Sequence, residues 1–369
     1  MTKAAELAKW GEVSTNGQVS GRRNIIINGA MQVAQRGTSQ AGITVSANEG
    51  YTTVDRFGVF GAAHAGVLTA AQVADGPSGF ANCLKLTCTT ADTSTAAGEL
   101  QHLETRFEGQ DVQQIKKGTA DAEKVTVSFY VKGDANATYQ LELQDQDNSR
   151  FNAQTFAVTT DWTRVVLTYA ADVDDGSSPF DDDNALSLRL VFWFNAGSTY
   201  TGGTFTSNTW HETANQRCGA ITNFFDSTDR RFFITGLQME VGSQATPFEH
   251  RSFGEELALC QRYAWKYGGN ISDEYLANVG FYSDGNSIIF GQVRHPVIMR
   301  TTPTLIVVGS PKVKANGSAT TGFTPVIAST SVLGGFIDMQ KNSHGLTSTD
   351  QTVINCGATT DHFFFDAEL

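Results

Sequence analysis

The chain has few cysteines and no closely spaced pair of them. Its five cysteines are spread over 369 residues, and no CxxC motif occurs. A disulfide framework uses an even set of cysteines, and a structural zinc site uses closely spaced pairs of ligands. The sequence indicates neither, and we predict five reduced thiols that are mostly buried.

Positive charge is also scarce. Lys and Arg together number 26 against 38 Asp and Glu, which gives a net charge of −12. A nucleic-acid-binding surface needs clustered basic side chains to displace counterions from phosphates. Anionic membranes likewise attract basic segments. The balance therefore argues against nucleic acid and against anionic membranes as partners.

Long apolar runs are missing too. No stretch approaches the roughly 18 residues that span a bilayer. The first six residues, Met-Thr-Lys-Ala-Ala-Glu, place an acid where a signal peptide has its apolar region. We expect neither membrane insertion nor conventional secretion.

What is present favours β-structure. Short segments rich in β-branched and aromatic residues alternate with Gly, Asp, Asn and Ser clusters, from a first predicted strand at Asn24–Val33 to one at Arg231–Val241. This pattern predicts an all-β protein whose main part, residues 24–250, is a β-sandwich. In the segment Leu188–Phe194, alternate residues are apolar, and the other face carries Arg189, Val191 and Trp193. We interpret that mixed face as a possible binding surface.

Two helices are predicted outside the sandwich. Ser252 and Glu255 form a capping box, and helical spacing continues to about Lys266, which predicts a connecting helix over residues 251–267. A smaller C-terminal β domain follows over residues 268–369. A short helical signal at residues 2–10 needs a partner surface because it is too short to be stable alone. Residues 1–23 are therefore either an anchor on a larger particle or a segment packed on its own domain.

Several segments carry a resemblance to a known family. They are Asn24–Gly37, Thr53–Phe57, Phe233–Gly242, Ala245–Leu257 and Cys260–Tyr263, with the closing Phe365–Leu369. Together they resemble bacteriophage tail-fibre and receptor-binding proteins, especially those of marine phages. The resemblance implies a jelly-roll domain similar to carbohydrate-binding modules and a homotrimer. The first 23 residues do not match a large tail-binding domain, so attachment to tail or head stays open.

Catalytic motifs are not found. The sequence has no G-x-S-x-G, no H-x-x-x-H among its seven histidines and no phosphate-cradling loop followed by Lys. We predict a protein that is not an enzyme and needs no cofactor. The alternative of a polysaccharide depolymerase would need two carboxylates flanking the scissile bond, and acidic residues are plentiful.

Three groups of candidate site residues follow. The particle-anchoring candidates are Leu7, Trp10, Arg22 and Arg23. The receptor-binding candidates are Arg189, Trp193, Tyr200, Trp210, Tyr275, Tyr282, Asn286, Asn316, Asn342 and His344. No metal site is predicted, although an acidic segment offers a calcium alternative at Asp172, Asp174, Asp175, Asp181, Asp182 and Asp183. Each tryptophan has the alternative of an ordinary core aromatic.

The sequence as a whole is interpreted as a structural protein of a phage virion. On this interpretation it is a short tail fibre, assembled in the host cytoplasm, that joins other virion proteins by its N-terminus and binds a host-surface glycan or protein. The alternatives are a capsid decoration protein or head fibre, and the depolymerase. If the N-terminus is the anchor, the C-terminal domain and its polar turns are expected to meet the host first.

Overall fold

The protein forms two compact units. The structure, a computed structural model, describes Lys3 and residues 22–173, 178–272, 274–280, 282–283, 288–315, 318–320, 324–340, 352–356 and 358–369. One unit comprises Met1–Phe253 with Leu369, and the other comprises Gly254–Glu368. The division falls inside the predicted connecting helix, and the predicted four-part domain scheme stays a prediction.

The first unit is built almost entirely from strands. In chain order these are β1 (Ser39–Ile43), β2 (Gly58–Ala62), β3 (Val67–Val73), β4 (Cys83–Thr90), β5 (Leu100–Glu108), β6 (Val125–Gly133), β7 (Ala137–Asp145), β8 (Arg150–Val158), β9 (Thr163–Tyr169), β10 (Leu186–Ala196) and β11 (Arg231–Val241). Short helices α1 (Gly109–Val112) and α2 (Ser198–Thr201) and 3₁₀ turns at Gln113–Ile115 and Ala214–Gln216 interrupt them.

These strands form an antiparallel sandwich. One sheet has the order β1-β3-β4-β11-β6-β9, and the other has the order β2-β5-β10-β7-β8. Buried side chains of both sheets belong to one apolar cluster, so the sheets pack face to face. The chain passes repeatedly from one sheet to the other, and the expected all-β jelly roll is confirmed.

Aromatic side chains fill the space between the sheets. The Phe129 ring lies 5.1 Å from Phe156 and 5.3 Å from Phe192, both edge-on. Tyr139 packs edge-on against Phe194 at 5.0 Å. Each such pair adds about 0.5–1.5 kcal/mol beyond its area burial. The five-stranded sheet is thus held on a rigid support, which fixes the side chains on its outer face.

The predicted first strand at Asn24–Val33 is wrong. The segment has no strand among the described residues because Asn28 and Met31 adopt left-handed backbone conformations, with φ of 61° and 55°. The Asn28 side chain satisfies this turn by donating to the main-chain oxygens of Val33 and Asp55. Side-chain hydrogen bonds of this kind compete with a strand ladder.

The second unit begins within α3 (Phe253–Gln261). Its strands are β12 (Ala264–Gly268), β13 (Tyr275–Gly280), β14 (Tyr282–Ser283), β15 (Ile288–Arg294), β16 (Thr304–Val308), β17 (Lys312–Ala315), β18 (Ser318–Thr320), β19 (Thr324–Ser331), β20 (Gly334–Gln340), β21 (Thr352–Asn355) and β22 (His362–Asp366). β12, β22 and β16 form a small antiparallel sheet, and the others form a larger one.

The helix predicted over residues 251–267 is wrong in its second half. It ends at Gln261, and Ala264–Gly268 pairs instead with His362–Asp366. The Trp265 ring stacks on Phe365 with centroids 5.0 Å apart and planes 11° apart. This pairing joins residues about a hundred positions apart, so a local periodicity of apolar residues could not reveal it.

No helix within the described ranges is long and apolar enough to cross a membrane.

Candidate functional site on the five-stranded sheet

The strand register sorts polar residues onto the outer face of the five-stranded sheet. Leu188, Leu190, Phe192 and Phe194 of β10 lie in the core, and the predicted alternation is confirmed. On the opposite face Arg189 is paired with Arg106 of β5 and Gln144 of β7. Two residues along the strand, Val191 is paired with Glu104 and Glu142, and Trp193 lies two residues further on.

One half of this outer face is covered by the chain itself. Residues 197–222, which we call the covering segment, bring Tyr200, Cys218 and Ile221 against Val191 and Trp193. Trp193 has 0% of its surface exposed. Its indole N–H donates to Glu142 Oε2 at 3.0 Å. The prediction that Trp193 contacts a receptor is therefore wrong, because the covering segment leaves no ring face for a ligand.

Glu142 organises the covered half. It is fully buried and accepts two hydrogen bonds from Arg217, at 2.9 and 2.8 Å, besides the one from Trp193. The Arg217 guanidinium also lies 4.1 Å from the centre of the Phe151 ring. A bidentate charge-assisted pair of this kind fixes the covering segment on the sheet. Sequence reasoning missed both residues, although strand alternation in β7 would have placed Glu142 on this face.

His102 completes the covered half as a neutral side chain. Its ring lies 4.0 Å from the Trp193 ring in an edge-on arrangement. Burial, followed by the positive charges of Arg217 and Arg189, holds the pKa of His102 well below its usual value. The imidazole therefore adds no positive charge near neutral pH.

The other half of the face stays accessible. Arg106, Arg189 and Gln144 lie side by side across three strands and are each half-buried; we call them the polar row. Arg106 Nε donates to Glu104 Oε1 at 2.6 Å, and its Nη1 donates to the main-chain oxygen of Leu369. Gln144 accepts from Arg217 at 3.1 Å. The polar row thus presents guanidinium and amide groups held in place by their neighbours.

Arg189 is the least satisfied member of the polar row. Its closest carboxylate oxygen among the described residues, on Glu104, lies 3.9 Å from Nη1, beyond hydrogen-bond distance. Its Nε is buried and has no hydrogen-bond partner in the described part of the chain. Burial lowers the pKa of Arg189, an effect opposed by Glu104, yet the group stays charged because arginine titrates far above neutral pH.

Two aromatic rings border the polar row. Tyr51 and Phe60 are half-buried and meet edge-on at 5.9 Å. The Arg106 guanidinium lies 4.4 Å from the centre of the Phe60 ring and 5.9 Å from that of Tyr51. Cation–π contacts at these distances orient the guanidinium beside the rings. Neither aromatic was singled out from sequence, because both lie far along the chain from Arg189.

Two other predicted receptor residues lie elsewhere. Tyr200 is half-buried in the covering segment, 5.3 Å from the Trp193 ring. Trp210 packs against the sandwich core, and its indole N–H donates to the main-chain oxygen of Ala170 at 2.8 Å. Trp193 and Trp210 therefore belong to different apolar clusters and do not form one stacking platform.

The acidic segment is tied to cations of the protein. Asp172 is buried, and both its carboxylate oxygens accept from Arg150, at 2.8 and 2.9 Å. Its Oδ2 also lies 3.7 Å from Lys117 Nζ. The side chains of Asp181, Asp182 and Asp183 are exposed, and Asp174 and Asp175 lie outside the described residues. No group of three or more metal-ligating side chains occurs in the described ranges, and Asp172 is engaged by arginine.

The remaining predicted sites stay predictions. Tyr275 in the second unit is 60% exposed. Arg22 is exposed, and the Arg23 main-chain N–H donates to Glu249 at 2.8 Å. The side chains of Leu7, Trp10, Tyr282, Asn286, Asn316, Asn342 and His344 lie outside the described part of the structure.

Comparison with known proteins gives low similarity only. No family model and no curated protein matches the chain. The CBM22-1 xylan-binding domain of Xyn10C from Paenibacillus barcinonensis aligns with a TM-score of 0.29 and 11% identity, over 61% of this chain and 100% of that chain. The family 11 carbohydrate-binding module of the cellulosomal cellulase Lic26A-Cel5E of Clostridium thermocellum aligns with a TM-score of 0.28 and 10% identity, over 58% and 98%.

A third solved structure, TmCBM61 in complex with β-1,4-galactotriose, aligns with a TM-score of 0.26 and 11% identity, over 55% of this chain and 99% of that one. Values of this size transfer neither a site nor a ligand to this chain. The site described above rests on the strand register and on the contacts of the outer face.

Proposed function

We propose that the chain binds a glycan on the accessible half of the outer face of the five-stranded sheet. The observation that carries the proposal is the polar row bordered by Tyr51 and Phe60, on strands supported by a packed core. Sugar rings stack on aromatic faces, and their hydroxyls need planar donors and acceptors at fixed positions. The guanidinium and amide groups of the polar row together supply these donors and acceptors.

Rigidity adds to this case. Two members of the polar row have a neighbour that orients them: Glu104 for Arg106, and Arg217 for Gln144. Side chains fixed before binding lose little conformational entropy when the ligand arrives. The proposal involves binding without bond cleavage.

The finer proposal concerns biological context. In keeping with the resemblance to phage receptor-binding proteins, we propose that the glycan belongs to a host surface and that the chain is a virion fibre, attached through its N-terminal residues to other virion proteins. The same resemblance supports a homotrimer. Exposed apolar side chains on the second unit, such as Ile306 and Leu333 at 44% and 62% exposure, are the kind of surface that trimer contacts would cover.

A glycan array tests the binding proposal directly. The full chain is applied to immobilised bacterial surface polysaccharides and plant and algal oligosaccharides, and hits are measured by calorimetry. Tyr51→Ala and Phe60→Ala are each expected to weaken binding about tenfold, since stacking on one ring is lost. The matched control is Phe336→Ala, which removes an exposed ring in the second unit and is expected to leave affinity unchanged.

The opposite result would overturn the proposal. If Tyr51→Ala and Phe60→Ala bind as well as the original while Tyr275→Ala does not, recognition lies in the C-terminal unit, as the sequence-based expectation has it. Light scattering of the purified chain tests the homotrimer separately, and a monomeric mass at micromolar concentration would contradict it.

A further inference from the structure

The accessible half of the face carries two arginines, Arg106 and Arg189, although the chain as a whole is acidic. The chain has a net charge of −12. On the outer face, three guanidiniums, those of Arg106, Arg189 and Arg217, lie near two carboxylates, those of Glu104 and Glu142. His102 beside them is neutral because its pKa is lowered by burial. Glu104 and Glu142 thus each pair closely with one arginine, Arg106 and Arg217, and Arg189 has no carboxylate within hydrogen-bond distance among the described residues.

The ion pairs show which arginine is left over. Arg217 is matched by Glu142 in a bidentate pair, with distances of 2.9 and 2.8 Å. Arg106 is matched by Glu104 at 2.6 Å. Arg189 has only the 3.9 Å approach of Glu104 and no described hydrogen bond. The unmatched guanidinium thus lies on the central strand of the sheet, between Arg106 and Gln144.

The environment of Arg189 favours an oxyanion partner. Its side chain is 26% exposed, so the group reaches solvent, while its Nε is buried without a described partner. A buried polar group of this kind is destabilising unless it is hydrogen-bonded. The planar fork of arginine matches the two oxygens of a carboxylate or a sulfate, which accept two parallel hydrogen bonds. A neutral hydroxyl offers one oxygen and no charge.

We infer that the glycan recognised by this face is acidic, and that Arg189 binds its carboxylate or sulfate group while Tyr51 and Phe60 border the sugar ring. This inference rests on the proposed function and narrows it to a substrate class. Arg106 and Gln144 flank the oxyanion on either side in the polar row. Arg217 stays bound to Glu142, and its contribution is to hold neighbouring side chains in place.

The test compares acidic and neutral sugars of matched length. The probes are an oligogalacturonate, the same oligosaccharide with its carboxyl groups reduced to alcohols, and a sulfated galactan oligosaccharide with its desulfated counterpart. The full chain is expected to bind an acidic member at least tenfold more tightly than its neutral partner. The pair in which the acidic member binds more tightly than its neutral counterpart shows whether the recognised oxyanion is a carboxylate or a sulfate.

Substitutions then assign the effect to one residue. Arg189→Met is expected to abolish the preference for the acidic member, because it weakens binding of the acidic member more than binding of the neutral one. Arg189→Lys keeps the charge but loses the fork and is expected to retain part of the preference. Arg231→Met, a half-buried arginine at the start of β11 in the other sheet, is the matched control and should change nothing.

Stability provides a readout that does not depend on the ligand. Because the Arg189 Nε is buried without a described partner, Arg189→Met is expected to melt no lower than the original chain, so lost binding cannot be attributed to unfolding. Equal binding of acidic and neutral members, or an unchanged preference in Arg189→Met, would overturn the inference. If Tyr51→Ala still weakens binding about tenfold in that case, the proposed function stands and only the acidic ligand is wrong.

Discussion

Lys117 provides the sharpest test of how the sandwich is held together. Its side chain is 1% exposed and its ammonium contacts Asp145, which is fully buried. The same ammonium lies 3.7 Å from Asp172 and donates to the main-chain oxygen of Ser178 at 3.2 Å. It thus links β7 to the segments before β10. We expect Lys117→Met, which keeps the length of the side chain and removes the charge, to destabilise the first unit strongly.

The contacts that remain in Lys117→Met set the size of the expected loss of stability. Asp172 keeps its two hydrogen bonds from Arg150 in this variant, at 2.9 and 2.8 Å. Within the described ranges, Asp145 keeps the main-chain and side-chain donors of Asn148, at 3.1 and 3.0 Å, and no cation. Removing one partner of a buried pair costs about 3–5 kcal/mol, since a buried charge is left uncompensated. For a unit of this size that corresponds to a fall in Tm of roughly 6–20 °C.

The neighbouring lysine is the control. Lys116 pairs with Glu123 at 3.1 Å, but the two side chains are 51% and 43% exposed. An exposed pair of this kind contributes about 0–1 kcal/mol, so Lys116→Met should melt close to the original. Urea unfolding followed by intrinsic fluorescence gives both free energies, with the m-value as a check on the transition. The double variant Lys117→Met with Asp145→Asn should recover part of the loss.

A loss below about 1 kcal/mol in Lys117→Met would refute this reasoning. It would mean that the ammonium is replaced by other donors without cost, and that the buried ion pair does not hold these segments.

The remaining predictions concern pH, thiol chemistry and the N-terminal segment. The pKa of His102 is lower in the folded protein than in the unfolded chain, so the unfolded state binds more protons. The free energy of unfolding should therefore fall as the pH drops below about 6.5. Urea titrations should show that His102→Gln loses less of this free energy between pH 7 and pH 5 than the original chain does. All five cysteines are free and buried, so a reductant should leave Tm unchanged, and a lower Tm under reduction would contradict this. Burial raises the pKa of Cys83 to about 12 and of Cys88 to about 11, so thiol reagents should react only on unfolding. Deleting residues 1–23, the predicted anchor, should leave both units folded but prevent incorporation into particles, and truncated protein found in purified virions would disprove the anchor.

Strand alternation was a reliable guide to which residues share a face. In β10 it separated Arg189 and Trp193 from the core residues, as the two apolar clusters confirm. Those core residues are Leu188, Leu190, Phe192 and Phe194. The same alternation holds in β4, where Leu84 and Leu86 lie together in the core. The period of two residues follows from the backbone geometry of a strand and needs no tertiary information.

Alternation did not reveal what covers a face. Trp193 lies on the predicted side of its strand, yet the covering segment buries it completely. That segment is held by the pair between Arg217 and Glu142, whose partners are 75 residues apart. An ion pair between residues so far apart cannot be predicted from strand alternation, because many other Arg and Glu combinations are equally compatible with that alternation.

The sequence by itself determined the all-β class and the two-sided character of the long strands, since these depend on composition and on local periodicity. Only the tertiary structure decided that the helix after Phe253 stops at Gln261, that the covering segment buries Trp193 on the outer face, and that Arg189 joins Arg106 and Gln144 in one row. Those outcomes depend on which distant strands pair and in which register. Long-range pairing is selected by the fit of the whole core, so no single segment of the chain encodes it.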